Sequence, residues 1–241
     1  MNLRDLESAK QQLIDFERDI ALLCKSGKIN GPAHLTHGNE EQLVKIFRGL
    51  KIGDYICDKS SEYSREHLQN EKLVEVPDNP NPAIFRGVQE NDWVCASYRS
   101  HYHALLKGIS PEWLREQIIS GKSMEIYSKE HKFLTSGIVP GQIPIALGIA
   151  QGLKINGSEN GRVWAFCGDM AAESGIFYEC VKYADNHDLP ITFVVEDNGL
   201  SVDTPTEVVW GGLESNLRRN TMRYVYSSGI PHQGVGKEVG F

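Results

Sequence analysis

Residues 162–200 read RVWAFCGDMAAESGIFYECVKYADNHDLPITFVVEDNGL. Two short, nearly continuous apolar runs, 162–168 and 190–196, flank a segment, 171–186, that reads as a helix. Apolar runs without alternation belong to strands covered on both faces. Strand, helix and strand over this length make a parallel βαβ unit with a right-handed crossover. The fold class that follows is α/β, a parallel sheet with helices on both faces.

Working outward, 142–153 (QIPIALGIAQGL) is an apolar helix whose Gly148 and Gly152 leave room for close approach by another helix, so it is a candidate subunit contact. WVCAS, 93–97, is a short strand. SPEWLREQIISG is a helix with Ser110 as its cap and Pro111 at its first position. At the N-terminus, Leu3, Leu6, Leu13, Phe16, Ile20 and Leu23 trace an amphipathic helix over 1–26 that Gly27 stops, and 40–50 is helical again after a loop at 31–38. The polar stretch 59–90 holds Pro77, Pro80 and Pro82, shows no periodicity, and reads as a surface insertion in one domain spanning 1–241.

Composition narrows the function. The 241 residues carry a formal net charge of −7, which argues against binding nucleic acid or an anionic membrane through bulk charge. No apolar run approaches the roughly 18 residues of a membrane span. The start, MNLRDLESAKQQ, lacks the pattern of a signal peptide, and the expected location is the cytoplasm. The five cysteines are widely spaced without a C-x-x-C pair, as free thiols in a reducing compartment would be. Cys167 lies inside a strand and reads as packing.

Ligands of parallel α/β sheets bind beyond the carboxyl ends of the strands. There this sequence places Gly168-Asp169-Met170-Ala171 and Glu196-Asp197-Asn198-Gly199-Leu200. If the two strands are neighbours, Asp169, Asn198 and a backbone carbonyl just after it form half a shell of hard oxygens. Such a shell suits Mg²⁺, with water and a diphosphate completing it, and the Met170 and Ala171 N–H groups would face the same anion. The plainer alternative makes Asp169 a helix cap and Asp197-Asn198-Gly199 a turn. No G-x-G-x-x-G or G-x-x-x-x-G-K-[ST] follows either strand, which weakens dinucleotide and nucleoside-triphosphate readings.

Asn198 follows Asp169 by 29 positions, and GDMAA with EDNGL resembles the thiamine-diphosphate fingerprint, written GDG and then NN. SGIVPGQIPIALGIAQGL (136–153), SYRSH (97–101), GPAHLTHGNE (31–40) and GKSMEIY (121–127) resemble, in order, further blocks of the alpha subunits of 2-oxo acid and acetoin dehydrogenases. The resemblance implies a thiamine-diphosphate-binding fold in which Asp169, Asn198 and the Leu200 carbonyl hold Mg²⁺. Tyr98 and Arg99 would bind diphosphate oxygens beside Gly168, Met170 and Ala171. The Gly137 carbonyl and Val139 N–H would grip the aminopyrimidine ring. His34 and His101 would line the cofactor mouth as candidate proton shuttles, or else are satisfied structural histidines, while His37 and His103 read as loop residues.

It further implies C–C cleavage next to a carbonyl, on a small 2-oxo acid or ketol substrate, with a separate beta-type, pyrimidine-binding subunit completing an α₂β₂ assembly. Departures from the family pattern are Met170 in place of the second glycine of GDG, Glu125 where the family often has histidine, the 59–90 insertion, and no R-x-x-G-H-S-x-x-D segment after 207. The last keeps a transketolase-like, carboligating enzyme without lipoyl transfer as the second reading and a non-catalytic scaffold as the third. His232 reads as a turn residue.

Overall fold

In the computed structural model the described residues are 3–57, 64–158, 161–211 and 217–229, with the backbone of 233–234 and 237–238. His232 lies outside them. The elements, in chain order, are α1 (Leu6–Lys25), α2 (Glu40–Arg48), β1 (Tyr55–Cys57), α3 (Arg65–Glu71), β2 (Val74–Val76), β3 (Trp93–Ser97), α4 (His101–Leu106), α5 (Pro111–Ile119), β4 (Tyr127–Ser128), β5 (Phe133–Ser136) and α6 (Gln142–Ile155). They continue with β6 (Val163–Gly168), α7 (Asp169–Ala172), α8 (Gly175–Asn186), β7 (Ile191–Asp197), β8 (Leu200–Ser201), β9 (Thr204–Pro205), α9 (Thr206–Trp210) and β10 (Thr221–Val225).

The main sheet has eight strands in the order β1-β2-β10-β7-β6-β3-β5-β4. Its centre, β10-β7-β6-β3-β5, is parallel; β2 joins β10 and β4 joins β5 in antiparallel fashion. Side chains alternate between two cores, as the pleat requires. Trp164 and Phe166 of β6 face a core with α1 and α2, whereas Val163, Ala165 and Cys167 face one with α6 and α8. Helices therefore cover both faces, and Cys167 is a packed core thiol whose ionisation burial opposes. No helix among the described residues is long and apolar enough to cross a membrane.

Three sequence expectations need correction here. The 59–90 segment is not merely a surface insertion: it supplies α3 and β2, and the buried Val74 and Val76 add a strand to the main sheet. Its three residues are too few to show a period. The helix expected over 171–186 is two helices, because the Ser174 hydroxyl caps a fresh start, accepting from the Phe177 N–H. His103, read as a loop residue, lies buried in α4.

The loop before α2 is pressed against the chain leaving β10. Gly38 has φ +92°, and a Cβ there would stand 2.1 Å from the Ser227 carbonyl oxygen. Gly38→Ala should therefore cost about 3 kcal/mol or more, combining a left-handed backbone with a main-chain clash. Urea unfolding would show it, and a loss below about 1 kcal/mol would contradict this packing.

Candidate functional site

The chain runs from β3 to β5 on one side, then crosses back to β6 on the other side of β3, so the strand order reverses between β3 and β6. A crevice beyond the carboxyl ends at such a reversal is where open parallel sheets bind ligands. A cleft of about 60 Å³ lies here, lined by residues that include Tyr98 and Arg99 after β3, Val139 after β5, Gly168, Met170 and Ala171 at the end of β6, and Asn198 and Leu200 after β7. Eight residues singled out from sequence thus share one cleft. Glu196, Ser201, Val202 and Tyr226, which sequence reading did not assign, line it too.

β6 and β7 pair in parallel with Gly168 opposite Glu196, which sets Asp169 beside Asp197 at one sheet edge. Asp169 is 2 % exposed and neither carboxylate oxygen has a hydrogen-bond partner. It is no helix cap: Gly168 holds that position, without a side chain to use. The Thr206 hydroxyl lies near enough to favour the charged carboxylate, yet no hydrogen bond of normal geometry joins the two. Burial, then the charge of Asp197, raises the Asp169 carboxyl above its ordinary range. Asp197 itself is saturated, accepting from Arg65, Arg223 and the Gly199 N–H.

Asn198 Oδ1 accepts the Leu200 N–H at 3.1 Å, a short turn that leaves the amide oxygen a second lone pair. In the β8–β9 hairpin Leu200 faces Pro205, between the pair Ser201–Thr204 and the Thr206 N–H to Gly199 carbonyl bond of 3.0 Å. The ladder therefore makes no use of the Leu200 carbonyl. Among the described residues no group of three or more His, Cys, Asp or Glu side chains is arranged to hold a metal. A cation here would need this mixed set of one carboxylate, one amide and one carbonyl, with oxygens from a ligand.

The opposite wall is braced from α2's side. Arg99 Nη1 donates to the Leu35 carbonyl at 2.6 Å, and the buried His34 ring packs on Tyr98 with centroids 4.5 Å apart. Gly137 is exposed and, unlike Val139, is not part of the cleft wall. His101 is displaced further: it is fully buried, with Nδ1 3.0 Å from Glu17 and Nε2 2.9 Å from the Ser123 hydroxyl. It joins α1 to the loop after α5 instead of lining the cleft. Beneath the cleft, His103 Nε2 lies 3.1 Å from Glu196 without hydrogen-bond geometry, and Glu196 accepts from the Tyr224 hydroxyl. Because α7 is a single turn, Met170 and Ala171 present local N–H groups and not the pole of a long helix. The Met170 sulfur accepts from the Trp210 indole at 3.1 Å, so the side chain at the fingerprint's glycine position is held by α9.

The fold is of the open α/β sheet class, with Tyr98 and Arg99 lining the cleft at its reversal point and the buried Asp169 carboxylate at the neighbouring strand end. The dehydrogenase E1 component family matches residues 83–209, more than half of the chain, and the chain belongs to that family. It is 36 % identical over 189 residues to the pyruvate dehydrogenase E1 component subunit alpha of Porphyra purpurea, covering 68 % of this chain and 54 % of that protein. It is 31 % identical over 151 residues to the subunit of the same name from Rickettsia bellii, covering 58 % of this chain and 43 % of that one. The chain thus spans about half the length of the curated relatives it matches. A solved thiamin diphosphate-dependent enzyme from Mycobacterium smegmatis shares 23 % identity, with a TM-score of 0.31 over 47 % of this chain and 18 % of that one.

Proposed function

We propose that this chain is the diphosphate- and Mg²⁺-binding, alpha-type part of a two-chain thiamine-diphosphate-dependent enzyme of the 2-oxo acid or acetoin dehydrogenase kind, cleaving a C–C bond next to a carbonyl. The observation that carries the reading is Asp169, a buried carboxylate with neither oxygen satisfied at the reversal point of the sheet. Leaving such a group unpaired is costly, and a divalent cation is the partner that its position fits. Asp169, Asn198 and the Leu200 carbonyl would bind Mg²⁺. Tyr98 and Arg99 would bind diphosphate oxygens, Arg99 as a charged fork whose plane the Leu35 carbonyl fixes. Gly137 and Val139 would meet the aminopyrimidine ring, and His34, against Tyr98, is the histidine this reading keeps near the site. When bound, the cofactor supplies a nucleophilic carbon and an electron sink for the cleavage.

A cleft of about 60 Å³ holds only a fragment of such a cofactor. In this reading a beta-type, pyrimidine-binding subunit covers the remainder in an α₂β₂ assembly. Exposed Ile138, Val139, Leu200 and Trp210 give the rim an apolar surface suited to that contact. The test is calorimetric titration of thiamine diphosphate into the complex of this chain with the subunit that co-purifies with it. Saturable binding in Mg²⁺ that EDTA abolishes is the expected result; binding indifferent to Mg²⁺, or none, overturns the proposal. Acyl transfer to a lipoyl domain then separates a dehydrogenase from a carboligating enzyme.

A further inference from the structure

The turn that presents Asn198 and Leu200 is gripped from outside by a side chain far away in sequence. Asp197, 0 % exposed, ends β7 immediately before that turn. One of its carboxylate oxygens accepts from Arg65 Nη1 and, at 2.9 Å, from the Gly199 N–H; the other accepts from Arg223 Nε at 2.9 Å. The two arginines act differently. Arg223 comes from β10, is largely buried, and also reaches Glu75 at 3.5 Å. It belongs to the sheet. Arg65 comes from α3, in the segment that sequence reading set aside as an insertion, and its side chain is 38 % exposed.

Arg65 also touches main chain. Its Nη2 lies 3.4 Å from the Asp197 carbonyl oxygen, and a Cβ on Gly199 would stand 2.8 Å from the same nitrogen. Gly199 has φ +73°, so the turn takes a left-handed step directly beneath the guanidinium. A planar fork that spans a carboxylate and an adjacent carbonyl fixes the orientation of the segment between them.

We propose that Arg65 is a positioning residue that clamps the 197–200 turn and so sets where the Asn198 amide and the Leu200 carbonyl stand for a divalent cation. The cation itself rests on the function proposed above; the clamp does not. Without Arg65 the turn keeps Arg223 on one oxygen of Asp197 but loses this grip from the α3 side.

Two amides report the clamp directly: Gly199 N–H, bonded to Asp197, and Leu200 N–H, bonded to Asn198. Hydrogen–deuterium exchange on the full chain compares wild type with Arg65→Gln, Arg65→Lys and the double variant Arg65→Gln/Asp197→Asn. In Arg65→Gln both amides should exchange about tenfold faster, the loss of one charge-assisted bond at a partly exposed group, with amides in β3 and β6 unchanged. Arg65→Lys, which keeps the charge but not the fork, should be intermediate and serves if the glutamine variant does not fold. The double variant should exchange fastest of all, because Asp197→Asn also takes the counter-charge from Arg223 and weakens the acceptor of the Gly199 N–H. In the complex with its partner, Arg65→Gln should weaken Mg²⁺-dependent thiamine diphosphate binding about tenfold. Unchanged exchange at Gly199 and Leu200 overturns the clamp, whatever the wild type binds; failure of the wild type to bind Mg²⁺ and thiamine diphosphate overturns the function and leaves the exchange result standing.

Discussion

Replacing Asp169 by asparagine will make the ligand-free chain more stable and remove its Mg²⁺-dependent hold on thiamine diphosphate. Asp169 is 2 % exposed, has no hydrogen bond of normal geometry to either oxygen although the Thr206 hydroxyl lies near, and is adjacent to a second carboxylate, Asp197. An ion kept out of water without a partner costs folding free energy, and asparagine abolishes the charge at nearly constant volume. The gain should be on the order of 1–3 kcal/mol at neutral pH. In the folded chain the Asp169 carboxyl is raised from 3.8 to about 6 by burial and by Asp197, so folding holds its proton more tightly than the unfolded chain does. The stability it contributes is full below its ordinary value and is lost as pH rises through the raised one. The gap between variant and wild type should accordingly open across that interval and be widest above it. Urea denaturation at several pH values measures the first effect and calorimetry with EDTA controls the second. An asparagine variant that is less stable and still binds in Mg²⁺ would remove the basis for a cation at this position.

What could be read from sequence follows how long each signal is. The β6–α8–β7 crossover was legible because 163–168 and 191–197 are runs of buried apolar residues long enough to be strands and too short to be helices. β2 was not, since Val74-Glu75-Val76 offers three residues followed by Pro77, and its place between β1 and β10 is decided by partners distant in sequence. The cleft residues Gly168, Met170, Ala171 and Asn198 were legible because they stand directly after predicted strands, whereas Tyr98, Arg99 and Val139 were reached only through the family resemblance. For His101 the resemblance left a site role and a structural one open, and the structure shows the structural one. It follows β3 closely, but the first turn of α4 aims it into the core, where Glu17 from α1 and Ser123 occupy both ring nitrogens. Nothing local marks such a pairing. Arg65 and Arg223, which saturate Asp197, lie 132 and 26 positions away from it, and no spacing rule connects them.

Asp92 shows why burial of a carboxylate decides nothing until its donors are known. It is 0 % exposed and stands just before β3, at the edge of the sheet opposite the cleft. Its four bonds are Arg86 Nη2 at 2.6 Å, the Gln89 N–H at 2.9 Å, the Arg162 N–H at 2.9 Å and the Trp164 indole at 3.0 Å. Every lone pair directed at a neighbour meets a donor. Asp92→Asn turns one accepting oxygen into a donor facing donors, leaves Arg86 short of its counter-charge, and orphans either a backbone N–H or the indole of the fully buried Trp164. Breaking one partner of a buried pair costs about 3–5 kcal/mol, which in a chain of this size lowers the melting temperature by roughly 6–20 °C. The same chemical change at two aspartates equally hidden from water should therefore move stability in opposite directions, down at Asp92 and up at Asp169. Matched urea titrations of the two variants decide it, because a common sign would mean that Asp169 has a partner after all and that its carboxylate does not wait for a cation.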